Sequence, residues 1–459
     1  MNSDSENNGN YLRNNYDCGR HYSVLINCLR KNNHKYSIKA EELSQSDWEE
    51  IIRLAAAQKV IALLYHRLKK RPDWSCIEDS IRNKLQEMYY LCVKISVKTD
   101  ALLYTILRRL TNDNIPVIPL KGAHLGQEIY GNIALRQMND IDILVKKKDL
   151  AQTIGSIREL GFSTPKMDYD KESGSITRPD TALSKMVEVA IEEIEDNYGY
   201  HIDFYNPNSY RVEIHWDIID KDCGLSIDNE GIWKRAEKRA ISGVPAYVMS
   251  IEDLLVYLCI HEASAHLFTL YPLRTFFDID EIITRFSEKI RWDLVEKIAN
   301  DFGAVNHIYL VLLLAKQIAG TDVPDSFFNR IKPDSYNEDY SKTALINVFS
   351  ERFETDSISA GSLFSLWKNK GIAYRIKILY TAVFPNRIKL AKEFLVEAKS
   401  PRIYLYYFAR LFKLLKSHGK ETMKLLLKDK SIHNEAEKVA ARFSRSSKLK
   451  NWLVSNKSL

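Results

Sequence analysis

The sequence has few cysteines, no long apolar run and no internal repeat of fixed period. Its six cysteines include no Cys-x-x-Cys pair, so neither a disulfide framework nor a zinc site is predicted. No apolar stretch reaches the roughly 20 residues that span a bilayer. The polar, asparagine-rich start does not match a secretory signal. We therefore expect a cytoplasmic protein with reduced thiols and no transmembrane segment.

Basic residues are concentrated in the C-terminal part of the chain. The 459 residues carry a net charge of +6, yet the part from Leu366 onward holds 22 Lys and Arg against 6 Asp and Glu. Such a surplus is typical of amphipathic helices with solvated faces. It also fits a surface for RNA, an anionic substrate or anionic lipid. The aromatic residues between Tyr404 and Phe412 follow helical spacing, which favours core positions over base stacking.

Two acids lie two residues apart in the apolar, β-branched segment Asp140–Val145. Side chains of a strand alternate between faces, so Asp140 and Asp142 share one face. Adjacent like charges repel each other unless a cation lies between them. Hard divalent ions such as Mg²⁺ bind carboxylate oxygens and keep positions open for substrate phosphates. The segment therefore predicts a pair of metal-binding acids.

The residues upstream predict a phosphate site beside this pair. Residues 115–120 have the composition of a short strand, Lys121 and Gly122 that of a turn, and residues 123–130 that of a short helix. A glycine turn that opens a helix presents backbone N–H groups and the positive end of the helix dipole to a phosphate. Lys121 adds a positive charge there. The two features together indicate chemistry on a nucleoside triphosphate.

A β-hairpin is predicted further along, with strands at residues 201–205 and 210–218 around a turn at 206–209. Glu213, His215 and Asp217 share one face of its second strand. Antiparallel strands often keep one face in water, so this face is either solvated or directed at the strand that carries Asp140 and Asp142. The spacing alone leaves both interpretations open.

The sequence resembles the uncharacterised bacterial nucleotidyltransferases of the DNA polymerase beta-like superfamily. The residues that carry the resemblance are Leu120-Lys121-Gly122, Arg136, Asp140-Ile141-Asp142 and Glu213-Ile214-His215-Trp216. It extends over roughly residues 45–415. It implies an α/β (α+β) fold, with a small mixed sheet of the nucleotidyltransferase type between helical N-terminal and C-terminal parts.

With that fold, the predicted organisation is a disordered tail at residues 1–20, a helical N-terminal part at 21–112, a catalytic domain at 113–250 and a helical C-terminal domain with a basic tail at 251–459. Predicted helices begin at Trp48, capped by Ser46 or Asp47, and run over residues 81–110 and 150–160. Residues 164–181 are predicted to form a loop. The helices after residue 292 are expected to break at Gly303, Pro324, Pro385, Pro401 and Gly419.

The resemblance implies an enzyme that transfers a nucleoside monophosphate from a triphosphate to an acceptor hydroxyl. Asp140, Asp142 and Glu213 are implied to be catalytic and to bind Mg²⁺ or Mn²⁺, with Asp203 or Asp217 as substitutes for Glu213. The nucleotide-binding residues are implied to be Lys121, Gly122 and Arg136. The acceptor is unknown, and nucleic acid is one option through the basic C-terminal part.

Four further residues are implied to line the substrate cleft, namely His215, His266, Arg274 and Asp278. His261 and His266 lie about 140° apart on an α-helix, which makes them a poor zinc pair and leaves a structural role open. Two other functions also stay open. Ala123 stands where the superfamily has Ser or Gly, and Glu213 where it commonly has Asp, which fits a non-catalytic nucleotide-binding protein. An Asp-x-Asp pair also occurs in glycosyltransferases that bind nucleotide-sugars through Mn²⁺.

Overall fold

The structure is a computed structural model that describes residues 19–31, 42–164, 199–350, 384, 390, 403–410 and 430–455. The predicted tail up to residue 18, the predicted loop after residue 164, and the predicted helix breaks at Pro385, Pro401 and Gly419 lie outside these residues. The described residues up to Phe349, together with those from Trp452 onward, belong to one compact unit. Those between Ser350 and Asn451 belong to a second.

Among the described residues, the α-helices before the sheet are α1 (Arg20–Leu29), α2 (Gln45–Ala57), α3 (Ile61–Leu68) and α4 (Asp79–Asn112). This confirms the helix predicted around Trp48, which is α2, and the long helix predicted over residues 81–110, which is α4. The cap of α2 is Ser44 rather than Ser46 or Asp47. Asp47 N–H donates to the Ser44 hydroxyl at 3.2 Å, and Ser44 N–H donates to the Asp47 carboxylate at 3.0 Å. This reciprocal capping box satisfies two N–H groups and fixes the helix start.

A four-stranded mixed sheet follows, with β1 (Val117–Pro119), β2 (Asp140–Val145), β3 (His201–Tyr205) and β4 (Arg211–His215) in the order β1-β2-β4-β3. The pairs β1–β2 and β3–β4 are antiparallel, and β2–β4 is parallel. The predicted hairpin and the mixed α+β class are confirmed. Helix α5 (Lys121–Glu128) follows β1 and helix α6 (Leu150–Glu159) follows β2. Lys121 and Gly122 therefore lie in the first turn of α5 rather than in a turn before it.

The parallel register of β2 and β4 places their polar residues side by side. Asp140 lies opposite Arg211, and Asp142 lies opposite Glu213. Because the side-chain period of a strand is two, these residues lie on the same face of the sheet. The hairpin face therefore continues the face that carries the acid pair, as the second interpretation expected, and Asp203 and Arg211 at its edge remain partly exposed.

Strand β3, which pairs with β4, adds two more polar residues to this face. Its Asp203 lies opposite Glu213, and its His201 lies opposite His215. Asp217 is not part of this face, because β4 ends at His215. Its carboxylate instead accepts a hydrogen bond from Ile218 N–H at 2.7 Å. The opposite face is apolar, and its side chains form the core of the unit, as at Ile141, Ile143, Ile202, Phe204, Val212 and Ile214.

The remainder of the first unit is mostly helical, as predicted. After α7 (Asn229–Arg235) and the hairpin of β5 (Glu237–Ile241) and β6 (Val244–Val248), the elements are α8 (Ile251–Ile260), a π-helix (His261–His266), α9 (Pro272–Arg285), α10 (Trp292–Phe302), α11 (Val305–Ile318), α12 (Asp325–Ile331) and α13 (Glu338–Phe349). Gly303 ends α10 at φ 70°, and Pro324 caps α12, so both predicted breaks are confirmed. The Trp452 ring stacks on Tyr340 at 4.5 Å.

Most described residues of the second unit are helical, and they include a helix at 403–410 and residues 430–451 of α14 (Lys430–Val454). Leu390 and Ile403 are buried, with Tyr406 and Tyr407 packed against them. Tyr404, Leu405 and Phe408 are exposed, so the predicted core position holds for only part of the aromatic run. Within the described part of the chain, no helix has the length and apolar character needed to cross a bilayer.

Candidate active site

The polar face of the sheet is centred on three buried side chains. Asp142 is 2% exposed, Glu213 7% and His215 1%. The Nε2 atom of His215 lies 3.2 Å from Asp142 Oδ1 and 3.2 Å from Glu213 Oε2. Two buried carboxylates are thus joined by one imidazole. Groups of this kind are costly to bury unless they are paired or bind a metal.

The pKa values of these three groups respond to one another. Burial raises the pKa of Glu213, and the neighbouring Asp142 raises it further against the hydrogen bond from His215. Burial acts in the same direction on Asp142, but Lys121 and His215 outweigh it and hold its pKa well below the usual range. Burial lowers the pKa of His215, yet its bonds to the two carboxylates give a net increase. The protein therefore keeps Asp142 ionised at the centre of the site.

Lys121 brings a positive charge to this centre. Its Nζ donates to Asp142 Oδ1 at 2.9 Å, and burial of the lysine is outweighed by this carboxylate, so its pKa is raised. The backbone φ angle of Lys121 is 44°, which lies in the left-handed region that residues other than glycine rarely adopt. Such strain persists where the surrounding structure imposes it and is common at functional sites. Here it opens α5 with the lysine directed at Asp142.

Asp140 does not join the central group. Its carboxylate pairs with Arg211, the residue opposite it on β4. Arg211 also lies 2.9 Å from Glu213 Oε1, so one guanidinium contacts acids of both strands. The predicted pair of Asp140 and Asp142 therefore lies on one face, as expected, but its two members have different cationic partners.

Gly122 allows close packing at the start of α5. A Cβ placed on it would lie 2.6 Å from Met138 Cγ and 3.5 Å from a terminal nitrogen of Arg136. A side chain at this position would clash with Met138. The missing Cβ therefore lets Met138 and Arg136 approach the N-terminal turn of α5.

Arg136 and Asp278, which were predicted separately, form a buried ion pair. Arg136 Nε donates to Asp278 Oδ2 at 2.6 Å, and the Tyr130 hydroxyl donates to Asp278 Oδ1 at 2.9 Å. Both members of the pair are buried. The pair links the segment before β2 to helix α9. Arg136 thus lies beside Gly122 with its charge balanced by Asp278.

Arg274 lies one turn before Asp278 on α9, and its charge is less well balanced. Its Nε atom is buried and has no hydrogen-bond partner within the described part of the chain. Its guanidinium lies over the Tyr271 ring at 5.1 Å. Burial and the neighbouring Arg136 lower its pKa to about 10, against the attraction of Asp278. A buried cation of this kind favours an anionic ligand nearby.

The π-helix brings His261 and His266 together. Their rings are 4.5 Å apart in an edge-to-face contact. The expected separation of 140° was wrong because it assumed an α-helix. In a π-helix the backbone hydrogen bonds join residues i and i+5, so residues five apart lie near the same side. Burial lowers the pKa of His261 well below its usual range, with Lys121 adding to this effect. The backbone that follows has positive φ at Leu267 and Phe268, so the region is strained.

The central group fits a divalent metal. Asp142, Glu213 and His215 each offer a ligand atom, and these atoms lie within 4.8 Å of one another. A second group of the same kind consists of His201, Asp203 and Glu213. Carboxylate oxygens suit both Mg²⁺ and Mn²⁺, whereas an imidazole nitrogen is a less usual ligand for Mg²⁺. The donor set therefore fits Mn²⁺ at least as well as Mg²⁺.

Besides His201, which belongs to the second candidate metal group, three residues at the site were not predicted. Arg211 was predicted only as part of the strand at residues 210–218, and its position opposite Asp140 depends on a parallel pairing between distant segments. Tyr257 on α8 has a buried hydroxyl without a hydrogen-bond partner among the described residues, and burial raises its pKa. His261 was noted only as half of a poor zinc pair. Of these three, Arg211 carried a usable signal, since it shares the face of Glu213 and His215.

Comparison with known families decides the class of this protein. The model of a family described as an uncharacterised nucleotidyltransferase matches residues 44–320, more than half of the chain. The chain belongs to this family. No curated protein and no solved structure matches it.

The match places the nucleotidyltransferase region on helices α2 to α11 and on both sheets. It contains every residue that was predicted for the site. It does not extend to residue 415, where the resemblance was expected to end. Membership of the DNA polymerase beta-like superfamily and the division of the chain into four segments stay predictions.

Proposed function

We propose that this nucleotidyltransferase moves a nucleoside monophosphate from a triphosphate to an acceptor hydroxyl, at the polar face of the four-stranded sheet. The observation that carries the proposal is the convergence of Asp142, Glu213 and His215, with Lys121 2.9 Å from Asp142. Buried carboxylates are costly unless they are paired or bind a metal, and one metal ion would be within reach of all three groups. Family membership supplies the reaction class.

Asp142, Glu213 and His215 would hold the metal. A bound Mg²⁺ or Mn²⁺ supplies positive charge to the triphosphate oxygens and to the oxygens that attack and leave. Asp142 stays ionised because Lys121 and His215 lower its pKa against the effect of burial. Asp142 would therefore supply the negatively charged ligand that the metal needs. Glu213 would be a further ligand, and the charge of the ion that it holds would favour loss of the proton from the attacking hydroxyl.

Two basic residues would bind the triphosphate, and a third would support the cleft. Lys121 lies at the start of α5, where backbone N–H groups and the helix dipole favour an anion. Arg274 has a buried Nε without a partner in the described chain, so a phosphate oxygen would supply the missing acceptor. Arg136 is already paired with Asp278, and its role is to hold the wall of the cleft in place.

Transfer of an α-³²P label tests this function. The protein is incubated with each α-labelled ribonucleoside triphosphate, Mg²⁺ or Mn²⁺, and fractions of a cell extract as the source of acceptor. We expect label to appear in one fraction while pyrophosphate is released. The variant Asp142→Asn should lose this transfer, and Asp113→Asn, which removes an acid paired with Arg109 at the end of α4, should retain it. Transfer by Asp142→Asn at the native rate would sink the assignment.

A further inference from the structure

Arg211 lies between two of the acids on the polar face. A single guanidinium nitrogen contacts both the Asp140 carboxylate and Glu213 Oε1, the latter at 2.9 Å. The side chain of Arg211 is 37% exposed and that of Asp140 is 29% exposed. The bridge therefore lies at the solvent edge of the face, where ions from solution can reach it. A divalent ion that bridged Asp140 and Glu213 would have to displace this nitrogen.

The position of Arg211 follows from the backbone. The parallel register of β2 and β4 sets Asp140 opposite Arg211 and Asp142 opposite Glu213. Arg211 and Glu213 are two residues apart on β4, so their side chains project from the same face. Neighbouring positions on a sheet face are close enough for charged side chains to pair. The bridge is thus a property of the strand pairing.

The formal charges of the face leave room for one divalent ion. The strands contribute four carboxylates to it, from Asp140, Asp142, Asp203 and Glu213. Lys121 and Arg211 supply two positive charges to these acids. One divalent ion then makes the face neutral. A second ion without substrate phosphates would leave it positive, and like charges in a partly buried site repel strongly.

We propose that Arg211 takes the place of a second divalent cation in the nucleotide-free protein, so that the site holds one metal ion, bound by Asp142, Glu213 and His215. This inference rests on the proposed function, because it presupposes the metal group. It assigns Arg211 as a positioning residue that sets how many ions the site accepts. Guanidinium suits this role because it remains protonated and can contact two carboxylates at once.

Counting bound Mn²⁺ in the absence of nucleotide tests the proposal. Free Mn²⁺ is measured by electron paramagnetic resonance as the full chain is titrated. We expect one ion per chain for the native protein and two for Arg211→Gln. Arg211→Lys keeps a cation on the face and should stay at one. Arg239→Gln, which removes a cation paired with Glu237 on β5, should also stay at one. Cooperative thermal unfolding of each variant shows that it is folded.

The outcomes separate the two ideas. One ion in both the native protein and Arg211→Gln would overturn the role of Arg211 while leaving the metal group in place. Two ions in the native protein would also overturn it. No bound ion in either protein would remove the metal group itself, and with it both the inference and the proposed function. One bound ion in the native protein together with two in Arg211→Gln would support the proposal.

Discussion

Asp142 is the residue on which the site depends, since its carboxylate contacts both Lys121 and His215. A buried acid that contacts a lysine and is hydrogen-bonded to an imidazole stays ionised, and only the ionised form binds a metal. The alternation of the strand was enough to predict that Asp140 and Asp142 share a face. It could not show which cation each would contact. Those partners come from other segments of the chain, brought together by tertiary packing.

Glu262 on the π-helix gives a prediction at the residue scale. It is fully buried, and the Thr275 hydroxyl donates to its Oε2 at 2.7 Å while Oε1 has no hydrogen-bond partner in the described chain. Burial raises the pKa of Glu262 to about 7. The folded protein therefore binds this proton more tightly than the unfolded chain. The stability that Glu262 contributes is present below pH 4.5 and is lost as the pH rises through about 7.

We expect the free energy of unfolding to fall by roughly 3 kcal/mol between pH 4.5 and pH 8 because of this residue, at 1.36 kcal/mol per pKa unit. Glu262→Gln keeps an acceptor for Thr275 and removes the titration. Its unfolding in urea, compared with that of the native protein at each pH, should lack this component. Equal pH dependence in the two proteins would show that Glu262 is ionised in the fold.

The start of α5 gives a prediction at the scale of the element. A Cβ on Gly122 would lie 2.6 Å from Met138 Cγ, closer than such atoms approach. We expect Gly122→Ala to destabilise the protein by about 1–3 kcal/mol, as overpacking of a core does. Addition of Met138→Ala should return part of this loss, because it removes the atom that clashes. A double-mutant cycle measured by urea unfolding gives the coupling.

Gly155 provides the matched control. It lies within α6, and no atom would lie within 4 Å of a Cβ placed there. Gly155→Ala should therefore stabilise the protein by about 0.5–1 kcal/mol, since alanine is the better helix former. Destabilisation of similar size at both glycines would show that helix position, rather than contact with Met138, decides the effect.

Elements were predicted better than the contacts between them. The hairpin of β3 and β4 and the helices α4 and α6 follow from local spacing and turn residues. The parallel pairing of β2 with β4 joins segments about 70 residues apart in sequence, and no local pattern encodes it. The π-helix was not predicted because a single wide turn of this kind does not change the spacing of apolar residues enough to be seen in the sequence. The same omission concealed the contact of His261 with His266.

At the scale of the whole molecule, Arg30 joins helices α1 and α11, which lie far apart in the sequence of the first unit. Its guanidinium donates to the carbonyls of Ile318 at 2.8 Å and Gln317 at 2.6 Å, at the end of α11. The end of a helix has carbonyls without intrahelical partners and the negative end of its dipole. The guanidinium of Arg30 donates hydrogen bonds to these carbonyls and places a positive charge at the negative end of the dipole.

We expect Arg30→Ala to lower the free energy of unfolding by about 2–3 kcal/mol, because charge-assisted bonds of this kind contribute more than neutral ones. Arg53→Ala removes an exposed arginine that pairs with Glu50 in the same helix, and it should cost less than about 1 kcal/mol. Urea unfolding of both variants provides the comparison. An equal cost would mean that the contact of Arg30 with the end of α11 adds no more stability than an exposed ion pair.

The central claim is that a metal and a nucleoside triphosphate bind together at Asp142. The measurement that tests it most directly is thermal unfolding of the native protein and of Asp142→Asn, with each of the four ribonucleoside triphosphates, with and without Mg²⁺ or Mn²⁺. A ligand at about 100 times its Kd adds about 2.7 kcal/mol of stability to the folded state. We expect a rise in Tm for one or more nucleotides that requires the metal and is absent in Asp142→Asn. A rise that Asp142→Asn retains, or no rise with any nucleotide, would contradict the account.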